Sequence, residues 1–390
     1  MMQPDTQRPQ TVSDDVTLMP PSRSPWAETW RLLRKNRVAF TGFIVFVLFF
    51  FIALAGMALT SGAHPVLDPA QVRLQEKLRP PLSAPKLDSL KPEEIPPLGR
   101  YVLGTDDLGR DVFARMLQGA WVSLTVGFVA VGISVAIGIL LGGIAGYLGR
   151  YYIQLGHLIY WTLVVCAIFL ALAQSLPAAL LCTLGAGAGW LFYYRRRRHP
   201  DRPVAKGLRW LIWPAISVDA LIVRLVDIML CFPSFFLILT VVALLKPSLF
   251  NIMVVIGLTS WEGTTRFVRA EFLSLREQDF VAAARALGLS DLRIIFRHIM
   301  PNALAPVLVS ATLGIASAML TEAGLSFLGF GVPPPHATWG NILSDGKDYI
   351  FDAPWLTFAP GITILVVVLA FNLFGEGMRD ILNPKLRERN

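Results

Sequence analysis

Charge is scarce in this chain. Of 390 residues only 16% are Asp, Glu, Lys or Arg, whereas 54% are apolar; soluble domains carry about 25% charged residues. A globule of this length needs polar residues to cover its outside, and too few are present unless much of that outside faces lipid. Cysteine is nearly missing as well. Cys166, Cys182 and Cys231 lie inside apolar stretches without CxxC spacing, which indicates neither a disulfide framework nor a zinc site. There is no GxxxxGK[ST]: Gly346-Lys347 is followed by Asp348 and lacks the upstream glycine, so the chain cannot cradle ATP phosphates itself. HExxH and GxSxG are lacking too. His64, His157, His199, His298 and His336 are scattered over different segments, which argues against membrane hydrolase chemistry.

Long apolar runs are what the chain has. A hydrocarbon core about 30 Å thick takes roughly 20 helical residues, and six runs meet that length: Val38–Thr60, Trp121–Leu148, Leu221–Leu245, Leu249 to Thr265, Ala303 to Leu325 and Leu356 to Met378. The expected fold is an all-α polytopic membrane protein with six core transmembrane helices. A further apolar tract, Leu155–Tyr194, is broken by Gln174-Ser175-Leu176-Pro177 and predicts an inserted helical hairpin; its arms are short, so one tilted helix or a re-entrant pair stays open.

The formal net charge is +8, and its placement decides what it means. Arg31, Arg34, Lys35 and Arg37 precede the first run; Arg195–Arg198 and Arg202 follow the hairpin; Arg266, Arg269, Arg276, Arg285, Arg293 and Arg297 separate the fourth and fifth runs; Arg379, Lys385, Arg387 and Arg389 follow the last. All fall on one side, which predicts cytoplasmic termini and a membrane role for the charge, with no nucleic-acid partner. The segments follow: a cytoplasmic leader 1–37 whose part Met1–Pro25 is expected to be irregular, a first span 38–60, an external Pro-rich loop with an amphipathic helix 61–120, a second span 121–148, the insert 149–217 and a core 218–390.

The segment 271–301, EFLSLREQDFVAAARALGLSDLRIIFRHIMP, predicts helix, turn, helix. Alanine favours helix over Asp279–Leu287, with Phe280, Ala283, Ala284 and Leu287 on one face; Gly288 ends it, and Ser290 or Asp291 can cap the next helix. A connection of about thirty ordered residues is uncommon without a function. The run Ala282-Ala283-Ala284-Arg285-Ala286-Leu287-Gly288, followed after nine residues by His298-Ile299-Met300-Pro301, resembles the EAA loop of ABC-importer permeases. Ala282 stands where that family usually has Glu, and Met300 where Leu is common. LGTDDLGRDVFARMLQGAWVSL, the stretch with Asp219, Arg224, Asp227 and Pro233, and TEAGLSFLGFGVPPPHATWGNIL are similar to the second permease subunit of dipeptide, oligopeptide and nickel importers. Trp121 stands where that family commonly has Arg.

The resemblance implies a permease subunit located in the bacterial cytoplasmic (inner) membrane. It would pair with a related permease as a heterodimer, with two ATPase subunits or domains that hold ATP and Mg, and with an external substrate-binding protein. No cofactor or metal is expected in this chain and no catalysis; peptides or a similar small solute would be imported by alternating access. The residues it implies for ATPase coupling are Ala283, Ala284, Arg285, Gly288, Leu289, Ser290, Asp291 and Pro301. Ionisable residues in spans are functional candidates by default. Arg224 and Asp227, three apart on one helix face, predict a local ion pair or a contact to the coupling loop; Glu262 with Arg266 reads the same way. Glu322 has no cation within one turn, so it either fixes an outer gate through a neighbouring helix or lines the substrate path. An ion-gradient-driven secondary transporter is the rival reading, and it would need a midplane acid such as Glu322. A membrane scaffold without transport is a second alternative.

Overall fold

The computed structural model describes residues 25–62, 65–87, 90–172, 176–198, 207–208, 211 and 213–382. The irregular leader Met1–Pro25, the break at Gln174-Ser175 and the basic residues Arg202, Lys385, Arg387 and Arg389 lie outside the described residues, apart from Pro25. The chain is a helical polytopic membrane protein.

Helix α1 (Pro25–Lys35) occupies the end of the leader, and Asn36 separates it from α2 (Arg37–Thr60) by accepting from Ala39 N–H at 3.1 Å. An irregular loop follows, whose described residues include 3₁₀ turns at Leu74–Glu76 and Pro92–Glu94; buried Glu76 accepts from Lys86 N–H, and buried Tyr101 exchanges backbone bonds with Leu82 and Ser83. Asp111 then caps α3 (Val112–Leu148) by accepting from Phe113 N–H at 2.9 Å. The amphipathic segment expected before Trp121 and the second span are therefore one continuous helix, because nothing between them lacks an N–H or leaves the helical conformation.

The insert begins with a two-stranded antiparallel ribbon, β1 (Tyr152–Gln154) with β2 (Pro214–Ser217), which closes its base. Between the strands, α4 (Leu155–Leu172) and α5 (Leu176–Arg198) pack on each other as a hairpin. The ribbon was not expected; strands this short carry no periodicity to read.

Two of the six apolar runs are not single helices. Leu221–Leu245 forms α6 (Val218–Cys231) and α7 (Ser234–Leu244), bent by 79° at Phe232-Pro233. Proline at the break cannot continue the hydrogen-bond ladder. Leu249 to Thr265 is split at Ser260 into α8 (Leu249–Thr259) and the first turn of α9 (Trp261–Arg276). Among the described residues four continuous helices have span length and composition, with the bent pair as a fifth. The coupling segment forms α10 (Asp279–Ala286) and α11 (Asp291–Ile294), then a wide π turn over Ile295–Ile299 leads into α12 (Met300–Phe327). Pro301 has no N–H to offer the Arg297 carbonyl, which accounts for the widened turn just ahead of it. After a loop come α13 (Trp339–Gly346), started by a Thr338/Asn341 capping box, and α14 (Trp355–Leu382).

Helix α3 is the hub, packed against α2, α8, α9 and α12. Its tightest seam is with α9 and is built from glycines. A Cβ on Gly142 would sit 2.7 Å from the Thr265 carbonyl, and one on Gly146 would sit 2.9 Å from the Arg269 carbonyl, so backbone meets backbone there. Two ends of the molecule result. At the proximal end lie the close of α3, α10, α11 and the contact between the first and last described helices, where Leu33 of α1 packs with Ile381 of α14. At the distal end lie the loop before α3 and helix α13.

Candidate functional site

The proximal loop is ordered by its own small core. Val281, fully buried, and Ala284 point inward onto Phe272, Ile294, Ile299 and Ala303. Phe280, Ala283 and Leu287 point outward, with Leu287 81% exposed. The four residues expected on one face are thus divided: Ala284 belongs inside because the larger Val281, three positions earlier, claims that face for the core.

The end of α10 is a Schellman motif. Gly288 N–H donates to the Arg285 carbonyl at 2.9 Å and Leu289 N–H to the Ala284 carbonyl at 3.2 Å. Gly288 has φ +74°, and no atom lies within 4 Å of where its Cβ would be, so the requirement there is conformational and not spatial. Ser290 occupies the cap position of α11 without a side-chain bond. Asp291, the other expected cap, accepts instead from the Tyr147 hydroxyl at 2.6 Å. Ala283, Ala284, Arg285, Gly288, Leu289, Ser290 and Asp291 are brought together in one helix and turn. Pro301 stands apart, in the first turn of α12.

Tyr147, Arg150, Arg276 and Glu277, which the sequence did not name as site residues, fasten this loop to α3 together with the expected Arg285. Arg276, buried at the end of α9, donates through Nη1 to the carbonyls of Gly146 (2.9 Å) and Tyr147 (3.4 Å), which the end of α3 leaves free. The Arg285 guanidinium lies 5.4 Å from the Tyr147 ring centre. Arg150 pairs with Glu277 at 3.0 Å. A basic residue in the last turn of α9 was the available signal, but the sequence does not say whose carbonyls it serves.

The remaining candidates lie elsewhere. Arg224 and Asp227 are not partners: Asp227 pairs with Arg266 of α9 at 2.8 Å, and Arg224 points outward. Adjacent Arg269 makes a bidentate pair with Asp219. Both bonds therefore join α6 to α9, because α9 presents its arginines to the carboxylates across the helix interface. Arg266 is thereby taken from Glu262, for which no ion pair is found among the described residues. Glu322 is fully buried between α12, α3 and α13. Ser326 Oγ donates to it at 2.6 Å and Ser123 Oγ at 3.4 Å, and Thr338 Oγ1 lies 3.4 Å from Ser326 Oγ. Among the described residues its partners are hydroxyls, with no cation.

The distal end is heavily charged. Asp106, fully buried, receives Arg110 Nε at 2.6 Å and Arg115 Nη1 at 2.5 Å, and both arginines reach Asp345 of α13 at 3.2 and 2.9 Å. Burial raises the carboxyls of Asp107 and Asp111 above the usual range and pushes the Tyr101 phenol up to about 12. Asp106, Asp107 and Asp345 lie close together, but the two arginines already supply their countercharge.

Comparison with known proteins decides the family. The family described as "Binding-protein-dependent transport system inner membrane component" matches residues 204–388, and "N-terminal TM domain of oligopeptide transport permease C" matches residues 24–81. The "Dipeptide transport system permease protein DppC" of Alkalihalophilus pseudofirmus is 35% identical over 364 residues, 93% of this chain and 91% of that protein. The chain belongs to the C-type permease subunits of peptide ABC importers. The "Di/tripeptide transport system permease protein DppC" of Pseudomonas aeruginosa is 33% identical over 96% of both chains. The "Oligopeptide transport system permease protein OppC" of Bacillus subtilis is 29% identical over 94% of this chain and 92% of that one. As an ABC-importer permease component, this C-type permease has its coupling-loop resemblance at a proximal helix with an outward apolar face and a rigid inner core. Such an element can transmit a displacement.

Proposed function

We propose that this permease subunit imports peptides or a similar small solute across the bacterial cytoplasmic membrane by alternating access, with ATP and Mg held by two partner ATPase subunits or domains. A related permease completes the translocation path, and an external binding protein delivers the solute. The observation that carries the reading is α10: a two-turn helix whose inner face is locked into the permease core while Phe280, Ala283 and Leu287 stay uncovered. An uncovered apolar ridge on an ordered helix fits a groove in another protein. Cytoplasmic termini belong to the same reading, supported by the arginines near the span ends and by the packing of Leu33 in α1 with Ile381 in α14.

ATP-driven closure of the ATPase pair moves α10; its core then carries α9 and α12 as rigid neighbours, and the exposed side of the path switches. Leu287→Asp on the outward face tests this. The variant should reach the membrane at normal level yet lose ATPase co-purification and transport; full co-purification with full transport overturns the reading. Transport should also survive collapse of the proton gradient while ATP is maintained. Strong inhibition by an uncoupler alone would instead point to gradient-driven transport.

A further inference from the structure

Helix α3 is fastened at both ends to parts that a transport cycle must coordinate. It runs unbroken for 37 residues, about 55 Å at 1.5 Å per residue, without proline. By contrast, α12 and α14 contain Pro306 and Pro360, α6–α7 is bent by 79°, and α8–α9 is broken at Ser260. At its proximal end, Arg276 caps the carbonyls of Gly146 and Tyr147, and the Tyr147 hydroxyl holds Asp291 beside α10.

At its distal end, α3 grips α13 and the residues before it. Gln118 Oε1 accepts from Ala337 N–H at 2.6 Å, and the Trp339 indole N–H donates to the Met116 carbonyl at 3.1 Å. Ser123 reaches Glu322, and Arg115 reaches Asp345 at 2.9 Å. Helix α13 is in turn seated against α12, for a Cβ on Gly340 would lie 2.7 Å from both Ala323 Cα and Ser326 Cβ. Buried polar contacts of this kind resist gradual slippage, so a shift of α3 along its axis carries α13 with it or breaks several bonds at once.

We propose that α3 is the rod linking the coupling loop to helix α13 at the distal end. Tyr147, Arg276 and Asp291 are positioning residues at the driven end, and the Arg115–Asp345 and Gln118–Ala337 contacts move α13 at the other. This rests on the importer reading, and it adds a third output helix to the two that flank the loop in sequence.

The test uses the assembled transporter in proteoliposomes. Cys166, Cys182 and Cys231 are replaced by Ser, and Leu343→Cys, at a half-buried position of α13, is labelled with a membrane-impermeant maleimide before and after vanadate trapping with ATP. In the parent protein, trapping should change the labelling rate by about threefold or more. In Tyr147→Phe that ratio should fall by about half, and in Tyr147→Phe/Asp291→Asn it should approach one. A full response in both variants overturns the rod while leaving the importer reading intact. No response at Leu343→Cys in a parent complex that traps nucleotide and transports would overturn the rod alone, because α9 and α12 then carry the switch; a complex that neither traps nucleotide nor transports would count against the importer reading instead. Arg276→Gln gives an independent reading from the other side of the clasp, with the same expected loss.

Discussion

Gly288 is held at φ +74° by the two carbonyl bonds that close α10, with open space around it. Substitution there is penalised by backbone conformation alone, about 1–2 kcal/mol for a side chain that resists the left-handed region. Gly288→Val should therefore weaken ATPase co-purification without reducing membrane insertion. Gly288→Asn, which tolerates that region, should retain most of it. Equal binding by the two variants would show that the turn does not set the dock. Glu322 is judged differently, since its two oxygens receive hydroxyls from two helices. Glu322→Leu removes the acceptor of both hydroxyls at a buried position, costing about 1–3 kcal/mol, and should lower the midpoint of thermal unfolding. Glu322→Gln keeps an acceptor and should lose less; normal assembly with normal transport in that variant removes both the gate and the substrate-path role. Gly288 was legible because a helix-ending glycine is a local requirement. The partners of Asp227 and Asp291 were not, because i,i+3 spacing and cap preference describe one helix while the actual partners come from α9 and α3.

At the scale of elements, hydropathy located the apolar runs but not their bends. The third run was read as one span although it contains Pro233, a residue that disfavours continued helix; Ser260 offers no comparable sign, and a mean over a window of residues is blind to a kink. The amphipathic and apolar parts of α3 looked separate because their surroundings differ, although the backbone continues through both. The insert was read as a hairpin from its length and interruption, but its ribbon was invisible. That ribbon makes a prediction possible. Gln154 and Pro214 are register partners, and exposed Trp161, Val165 and Phe169 on α4 face away from the core. Replacing residues 155–213 by Asn-Gly, a two-residue hairpin turn, should leave a permease that inserts and co-purifies with its ATPases. Failure to insert would show that the hairpin is needed to place α6 beside α3.

For the whole molecule, the decisive geometry is how closely α3 and α9 approach. Gly138, Gly142 and Gly146 recur every four residues, a spacing that lets two membrane helices meet along their backbones. This signal was present in the sequence, although only a structure names α9 as the partner. A Cβ on Gly142 would meet the Thr265 carbonyl at 2.7 Å and the Arg269 nitrogen at 3.0 Å, whereas Gly132, ten residues earlier on the same helix, has nothing within 4 Å. One substitution should thus have opposite effects at the two positions. Gly132→Ala gains helix propensity, up to about 1 kcal/mol, and should raise the unfolding midpoint of the solubilised permease. Gly142→Ala must push α9 away, at about 1–3 kcal/mol for overpacking, and should lower it. The same displacement would draw Arg276 off the carbonyls of Gly146 and Tyr147, so transport per ATP hydrolysed should fall in Gly142→Ala even where the complex still assembles. A rise in stability at both positions would mean that the seam is loose enough to accept a methyl group, and the α3–α9 contact would then be too weak to hold the coupling loop in register.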